Sequence, residues 1–152
     1  GPAAVGGDPP PSARAFSGTA VWGSRLFVFG GDSDEEGATN SLFSFDVEQL
    51  RWRDLGAPGR AAGFPPPSRT SFGVAAAGDT FFVLGGIGKM LNSPLSIGVT
   101  WDLFRFNMSS SEWSHLYMAG NAPYARVNFG FAGCVGNLFL FGGTSIAPGS
   151  PD

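Results

Sequence analysis

Three segments of the chain end in an apolar run closed by Gly-Gly: LFVFGG at 26–31, FFVLGG at 81–86 and LFLFGG at 138–143. Gly85 follows Gly30 by 55 residues and Gly142 follows Gly85 by 57. An arginine (Arg14, Arg69, Arg126) stands 16 residues before each first glycine. A fixed internal spacing inside a nearly fixed period means that one supersecondary unit is reused, so the chain folds as an array.

Each unit opens on a proline-rich turn with its arginine (PPPSAR, PPPSR, APYAR) and continues into a strand of small and aromatic residues. A Gly-Ser, Gly-Asp or Gly-Asn turn then leads to the apolar strand, as a hairpin requires. That second strand shows little polar alternation, which predicts burial on both faces. The second half of the unit occurs twice: SLFSFD and DLFRFN, each followed after a short spacer by a strand around Trp52 or Trp113. The period changes from 55 to 57 because the spacers differ in length while the strands do not. The 15 Phe, 24 Gly and 12 Pro fit many short strands and turns, and no window carries a sustained 3.6-residue period.

The order Pro-x-x-Arg, strand, hairpin, apolar strand, Gly-Gly, Phe-x-Asp, spacer, Trp resembles the Kelch repeat over nearly the whole chain. The resemblance implies an all-β fold, a segment of a Kelch-type β-propeller with four-stranded antiparallel blades. Counting strands gives about two and a half blades and an incomplete ring. The expected organisation is a flexible N-terminal linker over 1–8 and a propeller segment over 9–152. The latter divides into blades at 9–56 and 65–118, a half-blade at 122–143 and a tail at 144–152. Asn107 departs from the Asp usual in such repeats, and Phe replaces the tyrosine frequent in the second strand.

Within this reading the repeated residues are structural. Gly30, Gly31, Gly85, Gly86, Gly142 and Gly143 supply positive φ and close backbone approach. Arg14, Arg69 and Arg126 satisfy loop carbonyls or acidic groups, and Trp52 and Trp113 pack between blades. Chemistry is sparse. With one histidine, His115, and one cysteine, Cys134, the chain lacks a transition-metal ligand set, a nucleophile elbow and a phosphate-binding glycine motif. No catalytic residue, metal or cofactor is expected, and copper radical oxidases built on similar propellers need more His and Tyr than stand here.

A net charge of −3 offers nothing for nucleic acid, and no apolar run is long enough to insert in a membrane. The single cysteine is expected to be buried, which fits a cytoplasmic or other reducing intracellular compartment.

Binding is the remaining role, and loops on a rigid scaffold are where it resides. The loops after Gly-Gly and the proline-rich loops are expected on one face. Asp32, Asp34, Glu35 and Glu36 form an acidic stretch suited to a basic partner, a divalent cation or plain solvent. The loop 87–100 is apolar and carries Lys89, Met90, Leu91, Asn92, Leu95 and Ile97, suited either to a protein partner or to folding back on the scaffold. The expected function is a protein-interaction scaffold, with the remaining blades supplied by the same longer chain or another subunit. Alternatives are a non-catalytic part of a propeller enzyme or carbohydrate-binding protein, and a structural subunit of a larger assembly.

Overall fold

The computed structural model describes residues 6–145, and its regular structure is strand alone. The first unit gives four antiparallel strands in chain order: Gly18–Trp22, Arg25–Phe29, Leu42–Asp46 and Arg51–Asp54. The second repeats them with Gly73–Ala77, Thr80–Met90, Ser93–Asn107 and Glu112–Leu116. The third contributes two, Gly130–Cys134 and Asn137–Phe141. The fold is all-β, a propeller segment of two blades and half of a third that does not close into a ring.

The core lies between the complete blades. Alternation places Phe27 and Phe29 on the side of the first blade that meets Phe81, Phe106 and Trp113 of the second. Ring centroids lie 6.2 Å apart for Phe27–Phe81 and 5.1 Å for Phe29–Trp113. Ala20, Leu42, Leu55, Val83, Phe104 and Met108 complete the cluster. Each tilted aromatic pair adds about 0.5–1.5 kcal/mol beyond the burial of its area.

Blades approach most closely along their first strands. A Cβ on Gly18 would stand 2.1 Å from the Val74 side chain, and one on Gly73 would stand 2.4 Å from the Phe129 ring. Gly130 holds the equivalent place in the third unit, where the nearest atom would be Phe141 O at 3.6 Å.

The exchange of Asp for Asn at 107 has a local explanation. Asp46 Oδ1 accepts from the backbone N–H groups of Glu48 and Gln49, and Asn107 Oδ1 accepts from those of Ser109 and Ser110. Either residue caps the turn between third and fourth strands. Asn107 in addition donates from Nδ2 to Asp79, at 3.1 Å, which a second carboxylate in its place would not do.

At the blade edges, Ala62–Gly63 runs parallel to Glu112–Trp113, and Asp8 N donates to Trp52 O at 3.0 Å. Of the segment expected as a linker, 1–5 lies outside the described residues. Asp8 is held by an ion pair with Arg60 and a hydrogen bond from Asp54 N. Of the expected tail, Thr144–Ser145 pairs with Arg126–Val127 and 146–152 lies outside the described residues.

Cys134 corrects an expectation: its thiol is exposed. Phe131 and Gly133 face the second blade and are half-buried, which turns Gly130, Ala132 and Cys134 to the opposite, open side.

Candidate functional site

The spacing of 16 residues has a direct structural cause. Arg14 Nη1 donates to Gly30 O at 3.1 Å, Arg69 Nη1 to Gly85 O at 3.0 Å, and Arg126 Nη1 to Gly142 O at 3.0 Å. Each Nε donates to the carbonyl two residues back, on Ser12, Pro67 and Tyr124. The residue after each arginine is paired with the residue after Gly-Gly: Ala15 with Asp32, Thr70 with Ile87, Val127 with Thr144. The proline-rich turns and the post-Gly-Gly segments are therefore bound to each other at one end of the blades.

Both glycines are needed for this clamp. All six have positive φ, between 60° and 102°. A Cβ on Gly31, Gly86 or Gly143 would also meet the carbonyl of Ala15, Thr70 or Val127 at 2.7–2.8 Å. A less legible feature accompanies them. Phe16, Ser71 and Asn128, each two residues past its arginine, share φ of 55°. Residues so different in kind carry no common sequence signal for the left-handed turn there.

The clamps differ in what faces the guanidinium. In the first unit Ser41 Oγ accepts from Arg14 at 2.7 Å, while in the second Asp102 forms a bidentate pair with Arg69 at 2.6 and 3.0 Å. The Arg69 side chain is fully buried and lies 5.3 Å from the Phe104 centroid. Asp102 holds the place that Ser41 has in the first unit, at a register shift between Leu84 and Gly86 that sets Trp101 and Asp102 against Gly85. In the third unit Arg126 keeps only its carbonyl acceptors among the described residues.

Two hairpins rise from the clamped positions. In the first, Asp32–Ser33 pairs with Gly37–Ala38, and Glu36 N donates to Ser33 Oγ at 3.0 Å. Asp32, Asp34, Glu35 and Glu36 are all exposed on this short ordered hairpin.

The second hairpin corrects the sequence reading. Residues 87–100, expected as a loop, continue the second and third strands of their blade as a projecting β-hairpin. Ile87 pairs with Val99, Lys89 with Ile97 and Met90 with Ser93. Its Gly, Asn, Ser and Pro residues suggested a loop, but the ladder is maintained by backbone pairing, with Gly88 opposite Gly98. Leu95 is 100% exposed and Ile97 76%. Lys89, Met90 and Asn92 are exposed too, whereas Leu91 packs back against the core cluster.

Trp113 is buried between the blades, 4.9 Å from Phe106, and Trp52 is half-buried 5.0 Å from Phe45. His115 is half-buried against Phe104 at 4.7 Å. At the opposite end of the blades, hydrogen bonds from the Ser109 and Thr80 hydroxyls, with a further one from Asn107, hold the Asp79 carboxyl below its ordinary value. Asp8 is likewise lowered, chiefly by its hydrogen bond from Arg60. Among the described residues no three His, Cys, Asp or Glu come together as a metal site, and no helix is long and apolar enough to cross a membrane.

Residues 2–147 match the model of the KLHDC2/KLHL20/DRC7 Kelch-repeats domain. Kelch domain-containing protein 3 from Bos taurus is 28% identical over 93% of the chain and 35% of its own length. Host cell factor homolog hcf-1 from Caenorhabditis elegans is 29% identical over 79% of the chain and 16% of its own. A protein from Thlaspi arvense named N-(sulfonatooxy)prop-2-enimidothioate sulfolyase is 28% identical over 89% and 37%. The chain thus spans about a third of the length of the first relatives it matches.

Proposed function

The chain belongs to the Kelch-repeat family, and from that premise we propose that it is a protein-interaction scaffold whose partner docks on the end carrying the two hairpins. One observation carries the reading. The Arg–Gly-Gly clamps share their carbonyl contacts and glycine conformations, while the hairpins mounted on the first two differ in length and chemistry. One is acidic and short; the other is long, with Leu95 and Ile97 presented to solvent. An invariant frame holding variable tips is how repeat scaffolds present recognition surfaces. Exposed aliphatic side chains on a backbone-paired hairpin also lose little conformational freedom on binding.

Lys89, Met90, Asn92, Leu95 and Ile97 then form the contact surface, with Asp32, Asp34, Glu35 and Glu36 steering a basic partner toward it. Leu91 anchors the tip from beneath. The remaining propeller blades, from the same longer chain or another subunit, cover the open sides of the segment. Replacing 87–100 by a short Gly-Ser turn tests the assignment. Affinity capture should lose the partner while the circular dichroism spectrum stays that of a β-protein. Undiminished capture by the shortened chain would overturn it.

A second reading, a non-catalytic part of a propeller enzyme, is favoured by the relative named as a sulfolyase. It predicts that the intact protein turns over a small substrate, and that swapping the hairpin leaves turnover unchanged.

A further inference from the structure

At the end of the first blade away from the hairpins, four of the chain's nine Lys and Arg residues converge on one cavity of about 370 Å³. Arg25, Arg51 and Arg53 reach it from the second and fourth strands, and Arg60 from the loop beyond. The registers place Arg25 beside Asp46, Asp46 beside Arg51, and Ser44 beside Arg53, so these side chains share one side of the sheet. Gly6 and Gly7 form a facing wall without side chains.

The two acids in this cavity are already engaged. Asp8 is paired with Arg60 and accepts from Asp54 N. Asp46 accepts from two turn N–H groups and lies 3.8 Å from Arg25. Arg51 and Arg53 are exposed, and among the described residues neither guanidinium has an ion-pair or hydrogen-bond partner. The preceding residues 1–5, GPAAV, contain no acid to pair with them.

The fold does not require this charge. The second blade forms the same depression, of about 170 Å³, from Thr80, Asn107, Glu112 and Ser114 at the matching register positions, with Arg105. Where the first blade has Arg25, Arg51 and Arg53, the second has Thr, Glu and Ser. The basic character belongs to one blade of a chain whose net charge is −3.

Arg51 and Arg53 are two residues apart on one strand, so their side chains leave the sheet about 7 Å apart. Carboxylates at alternate positions of an extended peptide have the same spacing. An arginine fork matches each carboxylate in geometry as well as in charge. We propose that this cavity binds an extended acidic segment of a partner protein, with Asp or Glu at alternate positions set against Arg51 and Arg53. The site is separate from the hairpin end and opposite to it in charge.

The test uses the full chain and a fluorescein-labelled peptide, Glu-Ser-Glu-Ser-Glu-Ser, followed by anisotropy at low salt. Arg51→Glu combined with Arg53→Glu should weaken binding about tenfold, since two exposed ion pairs are reversed. Raising the salt should weaken it as well. The converse variant, Glu112→Arg with Ser114→Arg, should add a second equivalent of bound peptide on the other blade. That readout holds even if the charge-reversed protein fails to fold. Unchanged binding by a folded reversal variant, or unchanged stoichiometry in the converse one, would overturn the proposal. So would inorganic phosphate displacing the peptide at equal charge concentration, or equal affinity for a peptide with its three glutamates contiguous. Binding that persists after replacement of 87–100 would separate this site from the hairpin surface; its loss would overturn the proposal.

Discussion

Arg14, Arg69 and Arg126 make the same carbonyl contact, yet the sequence motif conceals unequal energetics. Arg69 is fully buried and paired with Asp102, so truncating it leaves a carboxylate without its counter-charge. Arg69→Ala is expected to cost about 3–5 kcal/mol. Arg14→Ala removes hydrogen bonds to two neutral hydroxyls and two carbonyls and should cost about 1–2 kcal/mol. Arg126→Ala, at a half-buried position with carbonyl acceptors alone, should cost less than about 1 kcal/mol. Urea denaturation of the three variants tests the order, and equal losses would contradict it. A second residue-scale expectation concerns acid. The Asp79 carboxyl is lowered from 3.8 by hydrogen bonds to its charged form. Its contribution is therefore fully present above that value and fades as pH falls through the lower folded value. Asp79→Asn should destabilise the protein near pH 5 and narrow its difference from the parent progressively as pH falls below 3.8, measured by urea unfolding at each pH.

Among the strands, the glycines that open each first strand separate packing from backbone conformation. Gly18 and Gly73 sit under the next blade, and Gly130 does not. Gly18→Ala and Gly73→Ala should each cost about 1–3 kcal/mol through overpacking, whereas Gly130→Ala should stay within about 0.5 kcal/mol. Thermal unfolding reads the contrast, and a loss at Gly130 matching the other two would refute it. The first two strands and the clamps were legible because each repeats three times with its spacing intact, and the third and fourth strands because they recur twice, which separates signal from composition. The 87–100 hairpin was not, since its Gly, Pro, Asn and Ser residues resemble loop chemistry and backbone pairing leaves no side-chain pattern. The arginine cavity was equally hidden: Arg25, Arg51, Arg53 and Arg60 are scattered in sequence and meet only through cross-strand register. Cys134 was misplaced because an apolar strand implies burial only where a neighbouring blade covers it.

At the level of the whole segment, the two open sides are unlike. On the third unit Phe139 and Phe141 are 58% and 85% exposed, while their counterparts Phe27 and Phe29 are buried between blades. A face of this kind drives association when nothing covers it. The chain alone is expected to form oligomers at micromolar concentration, and Phe139→Ser with Phe141→Ser should shift it toward monomer by light scattering. A monodisperse monomer without these changes would show that the face tolerates water.

The clamps also bear on how the chain finds its fold. Each joins residues 16 apart, while the Arg69–Asp102 pair spans 33 and the Asp54–Asp8 hydrogen bond spans 46. Closing a loop three times longer costs about 1 kcal/mol more in chain entropy. The guanidinium–glycine contacts are thus the least entropically demanding of these three kinds of contact. They can form in each half-unit as soon as its second strand exists, before the aromatic core has both of its sides. The 16-residue spacing that helps identify the fold therefore also favours an order of assembly, from the first half of each unit outward.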